Sequence, residues 1–140
     1  MSITAAEVKA LRIQTGAGMM DCKRALEESE GNTEKAVEIL RLKGQKVAAK
    51  RSDREASEGV ILSGVSKDGK TGLVMSLNCE TDFVAQNADF ISLTQTLIDL
   101  AIADSCESKD ELLAKKFPGS DITVADRIID ETGKIGELIE

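Results

Sequence analysis

Asp82 and Phe83 stand together in N-C-E-T-D-F-V-A-Q-N, residues 78–87, an acid beside one of only three aromatic side chains in 140 residues. Such a pair can do recognition chemistry: a carboxylate presents charge, and an aromatic ring inserts rigid apolar surface into a partner. Acid–base or nucleophilic chemistry finds much less support. The chain contains no His, which removes the commonest general base and metal ligand. No Ser or Cys nucleophile can therefore have a His partner. Cys22, Cys79 and Cys106 lie far apart in no ligand or redox spacing, and their odd number argues against a closed disulfide framework. They read as free, mostly buried thiols. The stretch T-G-A-G-M-M, residues 15–20, lacks the GxxxxGK spacing of a phosphate loop and follows no strand, so it reads as a helix connection. The carboxylates are spread over helix surfaces and caps. Sequence alone therefore predicts a binding protein rather than an enzyme, with no catalytic residue, no cofactor and no metal ion.

Phe83 falls where the pattern changes from strand to helix, and two readings compete. It either closes the core beneath a turn or protrudes to enter something else. Asp82 is likewise a helix cap or a contact residue. Met19 and Met20 are core side chains or surface, and because consecutive helical residues cannot face the same core, at least one of them should face outward. The formal net charge of −7 argues against broad attachment to nucleic acid or to an anionic membrane. The start M-S-I-T-A-A-E-V-K-A-L has neither the basic region nor the apolar stretch of a secretory signal, and the most apolar window, L-I-D-L-A-I-A, is interrupted by Asp99. A cytoplasmic location is expected.

The elements that must position these residues can be read in order. Thr4 and Glu7 have the spacing of a capping box before Val8 and Leu11, and Gly16 stops that first helix. A second helix runs from about Met19 to Ser29 with Cys22, Ala25 and Leu26 on one face. Gly31 and Asn32 end it and cap a third, whose apolar side is Ala36, Val37 and Leu40 and which ends near Gly44. Residues 1–44 are expected to form a self-sufficient three-helix domain. Residues 45–58 follow as a basic linker, the composition shifting across R-L-K-G-Q-K-V-A-A-K-R-S-D-R, residues 41–54, which carries six basic residues and one acid.

From Gly59 the period becomes two. V-I-L-S-G-V-S and G-L-V-M-S-L-N flank Asp68-Gly69, a strong hairpin signal, and Leu73, Met75, Leu77 and Cys79 alternate onto one face. Phe90, Leu93, Leu97, Leu100 and Ala101 then recur at helical spacing and can cover that face. Ser108 and Glu111 have the spacing of another capping box. Pro118-Gly119 ends that helix, and Val124, Ile128, Ile129 and Ile135 mark a last one. The fold class is α+β, with residues 59–140 a β-hairpin covered by helices. Two strands make a thin sheet, so further strands are expected from another segment of a longer chain or from a second copy, which would make the protein a homo-oligomer.

Two of these stretches, T-G-A-G-M-M-D-C-K-R-A-L and N-C-E-T-D-F-V-A, resemble the elongation factor Ts family, guanine-nucleotide exchange factors of bacterial and organellar translation. The resemblance extends over essentially the whole chain, is weakest between about 103 and 132, and resumes at G-K-I-G-E; Leu138 departs from the usual Asn. It implies a ubiquitin-associated-like helical domain, a linker and the N-terminal half of a core domain, an incomplete domain, with exchange activity weak at this length. The implied partner is elongation factor Tu, preferentially nucleotide-free. Arg12, Met19 and Met20 would touch its GTPase domain, while Asp82 and Phe83, flanked by Thr81 and Val84, would push between two of its helices near its Mg2+ site. No membrane and no specific nucleic acid is implied. The competing reading from the residues is a helical protein- or RNA-interaction module using the basic stretch, without exchange activity.

Overall fold

The computed structural model describes residues 2–140. Its fold is α+β, built as two compact units: residues 1–52 with 129–137, and residues 53–128 with 138–140.

In the first unit, helix α1 (Ala5–Thr15) opens with the expected reciprocal box. The Glu7 amide donates to the Thr4 hydroxyl, and the Thr4 amide donates to the Glu7 carboxylate at 2.7 Å. The Thr4 amide and then the Thr4 hydroxyl, which also donates to the Glu7 carboxylate at 2.7 Å, hold the carboxyl below its ordinary value. Gly16 ends the helix at φ +70°, a left-handed conformation that costs glycine nothing, and its amide donates to the Arg12 carbonyl at 2.7 Å. Helix α2 (Met19–Glu28) follows, and the Asn32 side chain then accepts the Lys35 amide at 3.0 Å to start α3 (Thr33–Lys50). Val8, Leu11, Cys22, Ala25, Leu26 and Ala36 form the buried core, with Val37 and Leu40 packed against it.

Helix α3 does not end near Gly44 but runs to Lys50, so the first residues of the expected linker are helical. Gly44 serves close approach rather than termination. A Cβ at Gly133, in helix α7 (Val124–Ile135), would lie 2.8 Å from the Gly44 Cα, and one at Gly44 would lie 2.5 Å from the Ile129 carbonyl oxygen. Only two glycines let the backbones pass at that distance, which offsets the cost of about 1 kcal/mol that glycine imposes inside a helix. Arg41 adds two hydrogen bonds to the Asp130 carboxylate, at 3.2 and 3.3 Å. The first unit is consequently wider than the residues 1–44 read from local pattern.

In the second unit, strands β1 (Glu58–Val65) and β2 (Gly72–Cys79) pair antiparallel from Glu58↔Cys79 to Val65↔Gly72. Asp68 shapes the loop between them. Its carboxylate accepts the Ser66 hydroxyl at 2.6 Å and the Lys70 amide at 3.0 Å, bonds that lower its pKa, while Gly69 takes φ +70°. The register puts Val60, Leu62 and Gly64 on the same face as Leu73, Met75 and Leu77. Helix α5 (Ala88–Ala103) covers that face with buried Phe90, Leu93, Leu97, Ile98 and Ala101. Helix α6 (Lys109–Ala114) is capped by Ser108, but the Glu111 carboxylate receives the Glu107 amide at 3.1 Å rather than that of Ser108, so the box expected there is half made. The sheet has two strands, and residues 138–140 meet it at Asn78. Asn78 and Glu140 exchange backbone hydrogen bonds of 2.7 and 3.1 Å, the closely spaced pair of an antiparallel ladder, beside buried Leu138 and Ile139. Among the described residues no helix is long and apolar enough to cross a membrane.

Candidate binding surfaces

Residues 78–90 make the first surface from two helix caps in series. Helix α4 (Asp82–Ala85) buries no residue and is a single turn. Its N-cap is Thr81, not Asp82. The Thr81 hydroxyl accepts the Val84 amide at 3.4 Å, and the Thr81 carbonyl receives both the Ala85 amide at 3.3 Å and the Cys79 thiol at 3.2 Å. Asp82 is then the first helical residue, its exposed carboxylate at the positive end of the turn, where negative charge is favoured. Asn87 closes the arrangement by accepting the Asp89 and Phe90 amides at 2.9 and 3.4 Å, which starts α5.

The consequence for the two nearby aromatics is opposite. Phe90 is 2% exposed, whereas Phe83 is 82% exposed. Phe83 therefore protrudes, and the reading that makes it a core plug fails because its side chain leaves the outer side of a turn whose inner side, at Val84 and Ala85, faces the sheet. Thr81 and Val84 are half-buried at its base. A ring held this way has lost most of its backbone freedom before anything docks on it.

The second surface lies on α1 and α2. Arg12 and Met19 line an open groove of about 540 Å3 together with Ile3, Val8, Lys9 and Lys23. Met19 is 48% and Met20 60% exposed, so both methionines face outward, where core packing remained open for one of them. Met20 is not among the groove residues. On the same helix Asp21 binds Arg24 at 3.0 Å and Lys43, which leaves the groove side to cations and thioether. Sequence reasoning passed over Lys9 and Lys23, although Lys9 and Arg12 are three apart and Met19 and Lys23 four apart, the spacings that share a helix face. It also passed over Cys79 and Glu80, whose hydrogen bonds are long-range or local to a turn and carry no periodic signal.

Chemically, both surfaces are suited to docking. Burial pushes the Cys22 thiol up, against a smaller opposing effect of the Thr15 hydroxyl, so the thiol stays protonated and unreactive. Among the described residues no group of three or more His, Cys, Asp or Glu is arranged to hold a metal ion.

Comparison with known proteins gives one family. A family model described as Elongation factor TS matches residues 80–140. Elongation factor Ts of Flavobacterium johnsoniae is 55% identical over 139 residues, covering 99% of this chain and 42% of the relative. Elongation factor Ts of Bacteroides thetaiotaomicron is 53% identical over 140 residues, 100% of this chain and 41% of the relative. That of Rhodopirellula baltica is 54% identical over 139 residues, 99% and 41%. The chain thus spans about two-fifths of the length of the curated relatives it matches.

Proposed function

From its similarity to the elongation factor Ts family, which runs through the whole chain, we propose that this protein acts in cytoplasmic translation as a guanine-nucleotide exchange factor for elongation factor Tu. The observation that carries the reading is Phe83, four-fifths exposed on a doubly capped turn. In this reading Asp82 and Phe83, supported by Thr81 and Val84, wedge between helices of the GTPase near its Mg2+ site, and Arg12, Met19 and Met20 hold its GTPase domain from the helical unit. Helices α1–α3 are then a ubiquitin-associated-like module.

No bond is made or broken by the exchange factor. A protein that prefers the nucleotide-free GTPase weakens GDP by the same factor by which GDP weakens it, so differential affinity shifts the equilibrium toward the nucleotide-free state. A ring fixed by two caps suits that task, because little conformational entropy remains to be lost on docking. The contact surface of this chain is a part of that of its longer relatives, and its exchange activity alone is expected to be lower than theirs.

The test is retention of elongation factor Tu from a bacterial lysate on the immobilised chain, with and without added GDP and Mg2+, followed by stopped-flow release of a fluorescent GDP. Retention that falls when GDP and Mg2+ are added, together with accelerated release, supports the reading. Retention indifferent to nucleotide, or binding abolished by nuclease, sinks it.

A further inference from the structure

We infer that Glu80 is a positioning residue for the Phe83 turn: by accepting the Leu138 amide it fastens the end of β2 to residues 138–140 and so fixes where Phe83 projects, a role that rests on the docking function proposed above. The Leu138 amide donates to the Glu80 Oε1 at 2.8 Å across 58 positions of sequence. Two residues before Glu80, Asn78 exchanges backbone bonds with Glu140; one residue before it, the Cys79 thiol donates to the Thr81 carbonyl. Residues 78–81 are therefore tied by these bonds immediately before α4.

Each tie has a different consequence. The Asn78–Glu140 pair sets strand register, which every antiparallel neighbour does. The Cys79 bond is local and turns the Thr81 carbonyl toward the strand. The Glu80 bond joins a side chain of the β2-to-α4 corner to another segment, and that segment is anchored by the burial of Leu138 and Ile139. Helix α4 buries no residue fully, so the half-buried face it lays on β1 and β2 leaves much of its direction to what holds its ends. Asn87 fixes its exit into α5, and Glu80 fixes its entry.

A carboxylate is not required for this, since any side-chain oxygen at that reach accepts an amide proton. Glu80→Gln keeps the acceptor and Glu80→Ala removes it. Because the chain contains no Trp, Phe83→Trp gives a single reporter on the turn. In the full chain carrying that reporter, Glu80→Ala is expected to lower the time-resolved fluorescence anisotropy attributable to the turn, and Glu80→Gln to restore it. In the Phe83 background, Glu80→Ala should weaken binding of nucleotide-free elongation factor Tu about tenfold, the cost of ordering a loosened turn on docking, with Glu80→Gln within about twofold of wild type. Unchanged anisotropy in Glu80→Ala overturns the inference, as does equal loss in Glu80→Ala and Glu80→Gln. A turn that loosens in Glu80→Ala, is restored in Glu80→Gln and costs affinity as stated upholds it. Should wild type itself fail to bind the GTPase, the proposed function falls, while the anisotropy arm still decides whether Glu80 holds the turn.

Discussion

The turn at residues 81–87 and the groove on α1 and α2 present apolar surface by opposite means. In the turn one rigid ring is held by Thr81 below and Asn87 beyond. In the groove the apolar surface comes partly from Met19, a flexible thioether, beside the cations Lys9, Arg12 and Lys23, and α2 starts at Gly18 without a side-chain cap. A preorganised aromatic concentrates recognition in one side chain, whereas methionine and long cations spread it over many adaptable contacts. Single substitutions should therefore be costly at the turn and mild in the groove.

The largest effect is expected at Phe90, which supplies the contrast to Phe83 within one short segment. Phe90→Ala should cost about 3–5 kcal/mol of stability in denaturant unfolding, because it empties a fully packed site under α5. Phe83→Ala should leave stability within about 0.5 kcal/mol but cost about 2 kcal/mol of binding to the nucleotide-free GTPase, roughly thirtyfold in Kd by titration calorimetry. Unfolding by Phe83→Ala, or wild-type affinity in that variant, would break the comparison at its centre. Next comes Thr81→Ala, which removes the α4 cap and should cost about 1 kcal/mol or less in stability, since so short a helix contributes little to global unfolding. Its larger mark should be a faster hydrogen exchange of the Val84 amide.

Met19→Leu, in the groove, should change both stability and binding by less than about 0.5 kcal/mol. A loss comparable to that of Phe83→Ala would show that the methionine surface is as concentrated as the turn. The smallest effect belongs to the exposed carboxylates that cap α1 and the hairpin loop, Glu7 and Asp68. Both have folded-state pKa values below their ordinary 4.5 and 3.8. Stability from each is thus present above its ordinary pKa and lost as pH falls through the lower folded value. The thermal midpoints of Glu7→Gln and Asp68→Asn should lie slightly below wild type at neutral pH and converge with it as the solution is acidified below those ordinary values.

Local chemistry made much of this legible. Thr4 with Glu7, Gly16, Asn32 and Asp68-Gly69 each act within a few residues of themselves, and each does in the structure what its position in the sequence predicts. Distant partners were illegible for the same reason. Gly44 looks like a helix stop until Gly133 is seen against it, and nothing near residue 80 announces that Leu138 will reach its side chain. At the site, the residue types of Asp82 and Phe83 pointed to recognition, but exposure is a property of the packed turn, and the assignment of the cap to Thr81 instead of Asp82 depended on where the backbone first becomes helical. The grouping of Lys9 and Lys23 with Arg12 was within reach of helical spacing.

The joining of residues 129–137 to the first unit also has a temporal side. The Arg41–Asp130 pair spans 89 positions, and the Gly44–Gly133 crossing a similar stretch, so the unit that is synthesised first cannot finish its packing until residues 129–137 have left the ribosome. Helices α1 and α2 with the start of α3 can gather early on local contacts, but the end of α3, with its run of lysines, stays without its neighbour through that interval. Contacts of such long range slow the final step of folding relative to the first. On a nascent chain the amino-terminal unit would thus begin before residues 53–128 are made and be completed only after them.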